Sequence, residues 1–260
     1  AERVLGVDAS YNLRYGDFKA RISGYYTRIY DQSKVISYYD DVAATFTNFA
    51  MSGIDKVHFG LEAAVSIPIY HTLALNGAVS WGQYTYDSNP YYLQTQDNSG
   101  DIVSDGYVYW KDFRVESTPQ TAVNVGLSWR SNNNIYLSAD FNYYNNMYLS
   151  MSPIYRTDAV ITGGMAPGDI EHLRRQEKFD SAYTLNASIG KNWYIHRKYT
   201  LGFSLDVKNI LNNQDIKTGG YEQTRLSKNT ETTVTTYQAF DSKYFYMFGT
   251  TYYLNLYFRF

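Results

Sequence analysis

Hydrophobic residues alternate with polar ones along most of this chain, and this period of two constrains the fold more than any other feature. From Leu5 to Tyr15 every second residue is apolar or aromatic, and the residues between them include Asp8, Asn12 and Arg14. Successive side chains of a β-strand point to opposite faces of a sheet. The segment is therefore predicted to be a strand with one apolar face and one polar face.

The same pattern recurs in eight further segments, most of which are joined in pairs by short turns. Gly16-Asp17 separates the first two segments, which is typical of a β-hairpin. The chain is thus predicted to be all-β, with residues 1–260 forming one segment of antiparallel sheet. We predict nine strands, at residues 5–15, 18–26, 57–67, 73–82, 123–129, 135–143, 183–189, 201–207 and 252–260.

Short and long connections alternate along the chain. Short turns fall near positions 16, 70, 132 and 197, whereas long polar connections cover about 31–52, 86–118, 149–179 and 212–242. Bacterial outer-membrane barrels have tight periplasmic turns at one end and long external loops at the other. The asymmetry therefore predicts a transmembrane antiparallel β-barrel. Because such single-chain barrels have an even number of strands, nine strands would be only a portion of one.

Composition agrees with a barrel rather than with membrane-spanning helices. No stretch approaches the roughly 18 consecutive apolar residues that a transmembrane helix needs. The chain contains 29 Tyr, 13 Phe and 4 Trp, and such rings favour membrane–water interfaces. Those near the short turns are expected to form an interfacial girdle: Tyr15, Phe18, Tyr70, Trp129, Tyr136, Trp193, Tyr194, Tyr199, Phe258 and Phe260.

Several function classes find no support in the sequence. The net charge is −2 with both signs mixed along the chain, which argues against nucleic-acid binding. There is no Cys, so disulfides and thiolate chemistry are excluded. The spacing of His58, His71, His172 and His196 does not match a metal site. We therefore predict no catalytic residues, no metal and no cofactor, and the chain is not expected to be an enzyme.

Five stretches resemble one protein family. They are Thr118 to Thr121, Lys208 to Asn213, Thr218 to Glu222, Lys243 to Tyr246, and the terminal Tyr257 to Phe260. In these stretches the chain resembles the SusC/RagA group of TonB-dependent outer-membrane transporters. The resemblance spans nearly the whole chain and is strongest in about its last 60 residues.

The resemblance implies a 22-stranded barrel whose lumen is blocked by an N-terminal plug domain. The chain would be the C-terminal part of that barrel, with the plug and the earlier strands outside residues 1–260. It also implies a location in the bacterial outer membrane, in contact with lipid, and import of oligosaccharides or peptides. The implied partners are a SusD-like surface lipoprotein and the TonB complex. Two alternatives remain open: a passive porin, and a soluble secreted all-β binding protein.

Two groups of residues are candidates for function. A terminal aromatic residue on an alternating strand is the signal read by the barrel-insertion machinery, so Phe258 and Phe260 are expected to serve in assembly. Aromatic and charged residues in the long connections could stack on sugar rings and form polar bonds. The alternative is that they pack against a lipoprotein partner or against each other. These candidate substrate-binding residues are Tyr38, Tyr39, Asp40, Tyr91, Tyr92, Tyr155 and Arg156.

Overall fold

A computed structural model of the protein describes residues 1–41, 43–116, 118–163, 167–196, 198–229 and 236–260. The helical segments are a 3-10 helix (Pro153–Arg156), α1 (Asp158–Thr162) and α2 (Pro167–Arg174). Within the described residues, no helix is long and apolar enough to cross a lipid bilayer. The strands are β1 (Arg3–Tyr15), β2 (Phe18–Asp40), β3 (Thr45–Tyr70), β4 (Leu73–Tyr86), β5 (Tyr91–Gln96), β6 (Ile102–Tyr107), β7 (Thr121–Arg130), β8 (Ile135–Asn145), β9 (Ala182–Ile195), β10 (Tyr199–Lys208), β11 (Lys217–Tyr221), β12 (Leu226–Asn229), β13 (Thr236–Ala239), β14 (Lys243–Tyr246) and β15 (Thr251–Arg259).

Nine long strands form one antiparallel sheet in the order β1-β2-β3-β4-β7-β8-β9-β10-β15. Each predicted strand lies in one of these nine, so the prediction of an all-β antiparallel fold is confirmed. β5 and β6 extend the sheet beside β3, and the remaining four short strands form two separate two-stranded ladders, β11 with β14 and β12 with β13. Among the described residues β1 pairs only with β2, and β15 pairs only with β10, so the sheet is open at both edges.

The register of the ladders places all the apolar positions on one side of the sheet, which we call the apolar face. Residues that are directly paired across neighbouring strands share a face. One row of such pairs, about halfway along the strands, illustrates this. In this row Val65 pairs with Gly77, Gly77 with Val125, and Val125 with Phe141. Many large side chains of this face are exposed, among them Val125 at 47% and Phe141 at 41%.

Aromatic residues border the apolar face at both ends. The lower belt, at the short-turn end, is largely as predicted, but Tyr136 and Tyr194 lie on the opposite face. Their register partners, Gly190 and Thr200, alternate with apolar-face residues, so the two tyrosines follow the polar positions. A second belt at the other end was not predicted. This upper belt comprises Tyr26, Phe59, Trp81, Tyr143, Tyr183 and Tyr252.

The opposite side of the sheet, which we call the polar face, is covered by hydrogen bonds between side chains of neighbouring strands. The Ser66 hydroxyl donates to Asn76 Oδ1 at 2.8 Å, and Asn76 Nδ2 donates to the Ser128 hydroxyl at 3.2 Å. Glycines make room for rings here: the Tyr136 ring lies over Gly190, where any Cβ would overlap it. These contacts fix the relative positions of the strands from the polar side.

The four long connections fold together into a layer at the end opposite the short turns, which we call the cap. Its described parts fall within residues 31–54, 86–120, 146–181 and 209–250. The prediction of a loop at 31–52 is wrong, because β2 continues to Asp40 and β3 begins at Thr45. Asp31 and Gly53 both have positive φ, and the register of the β2–β3 ladder shifts near them. These irregularities interrupt the period of two, so the sequence does not show that the strands continue.

The main buried core lies in the cap, where the cap ends of β3 and β4 take part in it. Its members come from β3, β4, β5, the segments after β6 and β8, and the helices. A sheet with one exposed apolar face and one polar face has no enclosed core of its own. The cluster comprises Phe49, Met51, Ile54, Tyr86, Tyr92, Val108, Trp110, Met151, Ile154, Tyr155, Val160 and Leu173.

Candidate functional site

A cavity of about 200 Å³ lies within the cap and brings together residues from all four long connections. Tyr38 and Asp40 reach it from the end of β2, and Tyr92 and Gln94 reach it from β5. The remaining wall is formed by β3, β6, the start of α1, and the β12 and β13 strands. We call this site the cap cavity. Several of the predicted binding residues lie together on its wall.

Three of the seven predicted binding residues line the cap cavity: Tyr38, Asp40 and Tyr92. Tyr39 and Tyr91 lie on the outer side of the cap, where they are 44% and 41% exposed. The Tyr39 ring packs edge-on against Phe46, and Tyr91 packs in the same way against Tyr107. The outer pair is accessible to a ligand but lies apart from the cavity.

Tyr155 and Arg156 are buried, at 2% and 0% exposure, and they hold the cap together. Arg156 forms a two-pronged ion pair with Glu222, with N–O distances of 2.5 and 2.8 Å. The Tyr155 hydroxyl donates to the backbone carbonyl of Arg225 at 2.8 Å. Both residues therefore fasten the third long connection to the fourth, which is the packing alternative considered for them above.

An exposed ion pair closes the cap beside the cavity. Arg225 donates to both carboxylate oxygens of Asp41, at 3.0 and 3.1 Å. These donated bonds, together with the nearby positive charge, lower the pKa of Asp41 below its usual value. The pairing joins positions 184 residues apart in sequence, so no local sequence pattern could have indicated it.

Polar groups of the cavity are held in defined positions. Gln94 Nε2 donates to Asp40 Oδ2 at 2.6 Å, and the hydroxyls of Tyr92 and Ser104 are 2.8 Å apart. Gln94 was missed by the sequence analysis, although it is two residues after Tyr92 and therefore on the same face of β5. Burial raises the pKa of both Tyr38 and Tyr92, so their hydroxyls stay protonated and able to donate.

The size and chemistry of the cap cavity limit what it can hold. Sites for drug-sized ligands measure about 300–1,000 Å³, so a cavity of about 200 Å³ has room for one ring or one side chain of a larger ligand. Aromatic walls from Phe49 and Tyr92, with acceptors and donors from Asp40, Gln94 and Tyr38, suit a polar ring with hydroxyl groups.

Two further features of the described residues bear on function. No group of three or more His, Asp or Glu side chains among them could hold a metal ion. Phe258 and Phe260 lie at the short-turn end of β15, where Phe258 stacks on Tyr199 with ring centroids 5.7 Å apart. Phe260 is 93% exposed and contacts the Phe258 ring. Their role in assembly stays a prediction.

No model of a known protein family matches the sequence, and a search of curated proteins finds no similar chain.

Proposed function

We propose that this chain is part of the wall of an outer-membrane β-barrel and that its apolar face contacts lipid. The observation that carries the proposal is the exposed apolar face of nine adjacent strands, bordered by aromatic belts at both ends. Contiguous exposed apolar patches above a few hundred Å² mark membrane or protein contacts. Aromatic girdles at both membrane interfaces are typical of outer-membrane barrels.

The height of the apolar face supports this proposal. On β7, Trp129 of the lower belt lies eight residues from Thr121, which pairs in register with Trp81 of the upper belt. Eight residues at about 3.4 Å each span about 27 Å along the strand. At a strand tilt of about 40° this is about 21 Å along the membrane normal, close to the roughly 25 Å apolar band of such barrels.

The open edges agree with a larger barrel. β1 and β15 both run from the cap end to the short-turn end, so direct pairing of the two would be parallel. Antiparallel closure requires an odd number of further strands. The 22-stranded barrel of the resembled family would supply 22 − 9 = 13 strands, which is odd.

We further propose that the barrel belongs to a TonB-dependent importer of the SusC/RagA type. Its substrates would be large nutrients, oligosaccharides or peptides, captured under a SusD-like lipoprotein and passed through a plugged lumen powered by TonB. The five stretches quoted above support this part of the proposal. The cap would form the external surface, and the cap cavity would receive one unit of the substrate.

Fractionation and uptake experiments test the two parts separately. The intact protein should be found in the outer-membrane fraction and should need detergent for extraction; release in soluble form would refute the membrane assignment and favour a secreted binder. Uptake of a fluorescent oligosaccharide or peptide library by cells should be lost when TonB is deleted or a protonophore is added. Uptake that survives both treatments would instead indicate a passive porin.

A further inference from the structure

One lysine breaks the pattern of the apolar face near its short-turn end. Lys191 of β9 pairs in register with Ile135 and Phe203, which both belong to the apolar face. Among the apolar-face positions of β7, β8, β9, β10 and β15, all of which the structure describes, Lys191 is the only charged residue. A charged side chain is disfavoured in the middle of a lipid-facing surface and tolerated only near its edges. The position therefore points to an interaction at the membrane surface.

Lys191 and a second lysine, Lys198, both lie over aromatic rings of the lower belt. Lys191 Nζ is 5.2 Å from the centroid of the Trp193 ring, which lies two residues nearer the β9–β10 turn. Lys198 Nζ is 5.2 Å from the centroid of the Tyr199 ring. The first contact directs the Lys191 side chain away from the centre of the apolar face and toward its lower edge. We call Lys191, Trp193, Lys198 and Tyr199 the two-lysine site.

The register brings the two rings, and with them the two ammonium groups, to neighbouring positions. Trp193 pairs with Leu201, and Tyr199 lies two residues before Leu201 on the same face of β10. Such diagonal neighbours in an antiparallel ladder lie about 7–8 Å apart. Two positive charges at this separation repel each other, and an anion between them relieves the repulsion. A single anionic group can therefore contact both lysines.

No acidic side chain in the described part of the chain is paired with these two charges. Neither lysine forms an ion pair there. The acidic residue of β10, Asp206, pairs in register with Ser188 and lies on the polar face. The counter-ion of the two-lysine site is therefore expected to come from a ligand.

Toward the cap, the two-lysine site continues directly into the apolar face. The Trp193 ring packs against Phe203, with ring centroids 5.9 Å apart, and Leu205 follows Phe203 on the same face. The Tyr199 ring stacks on Phe258. A ligand that covers both the lysines and these side chains needs an anionic group joined to long apolar chains, and a phospholipid has both.

We propose that the two-lysine site binds an anionic phospholipid. Its phosphate lies between the ammonium groups of Lys191 and Lys198, and its acyl chains extend over Phe203 and Leu205. Lysines at a membrane surface attract anionic headgroups, and the adjoining rings and aliphatic side chains favour a lipid over a free anion. The inference rests on the proposed lipid contact of the apolar face and adds to it a class of lipid and a binding site.

Protection of the two lysines from acetylation tests the proposal. The intact protein is reconstituted in phosphatidylcholine vesicles with or without a minor fraction of phosphatidylglycerol, and acetylation by an uncharged reagent is measured at each lysine by mass spectrometry. We expect phosphatidylglycerol to slow the acetylation of Lys191 and Lys198 at least about tenfold, the equivalent of about 1.4 kcal/mol. Inorganic phosphate added to phosphatidylcholine vesicles should not protect them. Equal protection by phosphate would indicate a site for a free anion, and the proposal would fail.

A variant separates binding at this site from the general attraction of a negative surface. Lys191→Gln should remove most of the protection of Lys198, whereas Lys111→Gln, which removes an exposed charge in the cap, should leave it unchanged. Unchanged protection of Lys198 in Lys191→Gln, or equal acetylation in both kinds of vesicle, would overturn the proposal. Quenching of a label at Val125→Cys by brominated lipid separates this failure from failure of the membrane assignment. Quenching without protection contradicts the lipid site alone, and absence of quenching contradicts the lipid contact of the apolar face as well.

Discussion

Placing an arginine in the middle of the apolar face should strongly disfavour the membrane-inserted state. Val125 lies four residues from Trp129 of the lower belt and four from the Thr121 row of the upper belt, so it lies near the middle of the proposed lipid contact. Arginine at the midplane of a barrel costs about 2–4 kcal/mol. We therefore expect Val125→Arg to lower the folding equilibrium constant in bilayers by about 30- to 800-fold.

The assay is a urea titration of the intact protein in phospholipid vesicles, followed by tryptophan fluorescence. Ala78→Arg is the matched control, because Ala78 lies one residue beyond Gly77, the Val125 partner, and is exposed on the polar face. The control should shift the equilibrium by less than about 1 kcal/mol, as is usual for surface positions. Equal losses at both positions, or no loss at Val125, would refute the assignment of the apolar face to lipid.

Three further predictions concern the polar face and the cap. Gly190→Val should destabilise the sheet by about 1–3 kcal/mol in the same titration, because the added side chain overlaps the Tyr136 ring. Arg156→Met should cost about 3–5 kcal/mol by leaving Glu222 without its partner, and Arg156→Met with Glu222→Leu should recover part of that loss. Burial raises the pKa of Tyr155 from 10.0 to about 12. The stabilisation from its neutral form is complete below pH 10 and is lost as pH rises toward 12, so cap proteolysis should increase over that window. The increase should be smaller in Tyr155→Phe, where only the other buried tyrosines of the cap, such as Tyr38 and Tyr92, still contribute.

The nine strands of the sheet could be predicted because each is governed by local alternation. Where one face is apolar and the other polar, a shift of one residue would move every side chain to the wrong side. The same rule explains the error at Tyr136 and Tyr194, which were assigned to the girdle by their distance from a turn. Their parity along β8 and β9 places them on the polar face instead.

The cap could not be predicted from the sequence, because its contacts join segments that are far apart in the chain. The core contributed by Phe49, Trp110 and Tyr155 comes from three separate connections. Register irregularities in β2 and β3 also interrupt the period of two just where these strands enter the cap. Residue types suited to binding could be named from the sequence as candidates, but only the structure separates Tyr38 and Asp40, which line the cavity, from Arg156, which is buried in the core.

The most direct test of the central claim is a pair of single-cysteine variants, Val125→Cys and Ala78→Cys. Residues 1–260 contain no other cysteine, and any cysteine elsewhere in the intact protein is replaced by serine. Each is labelled with an environment-sensitive fluorophore in the intact protein, reconstituted in vesicles, and exposed to brominated lipid. We expect strong quenching of the label at position 125 and little at position 78. Equal quenching at both positions, or none at position 125, would contradict the proposal that the apolar face of this sheet contacts the membrane.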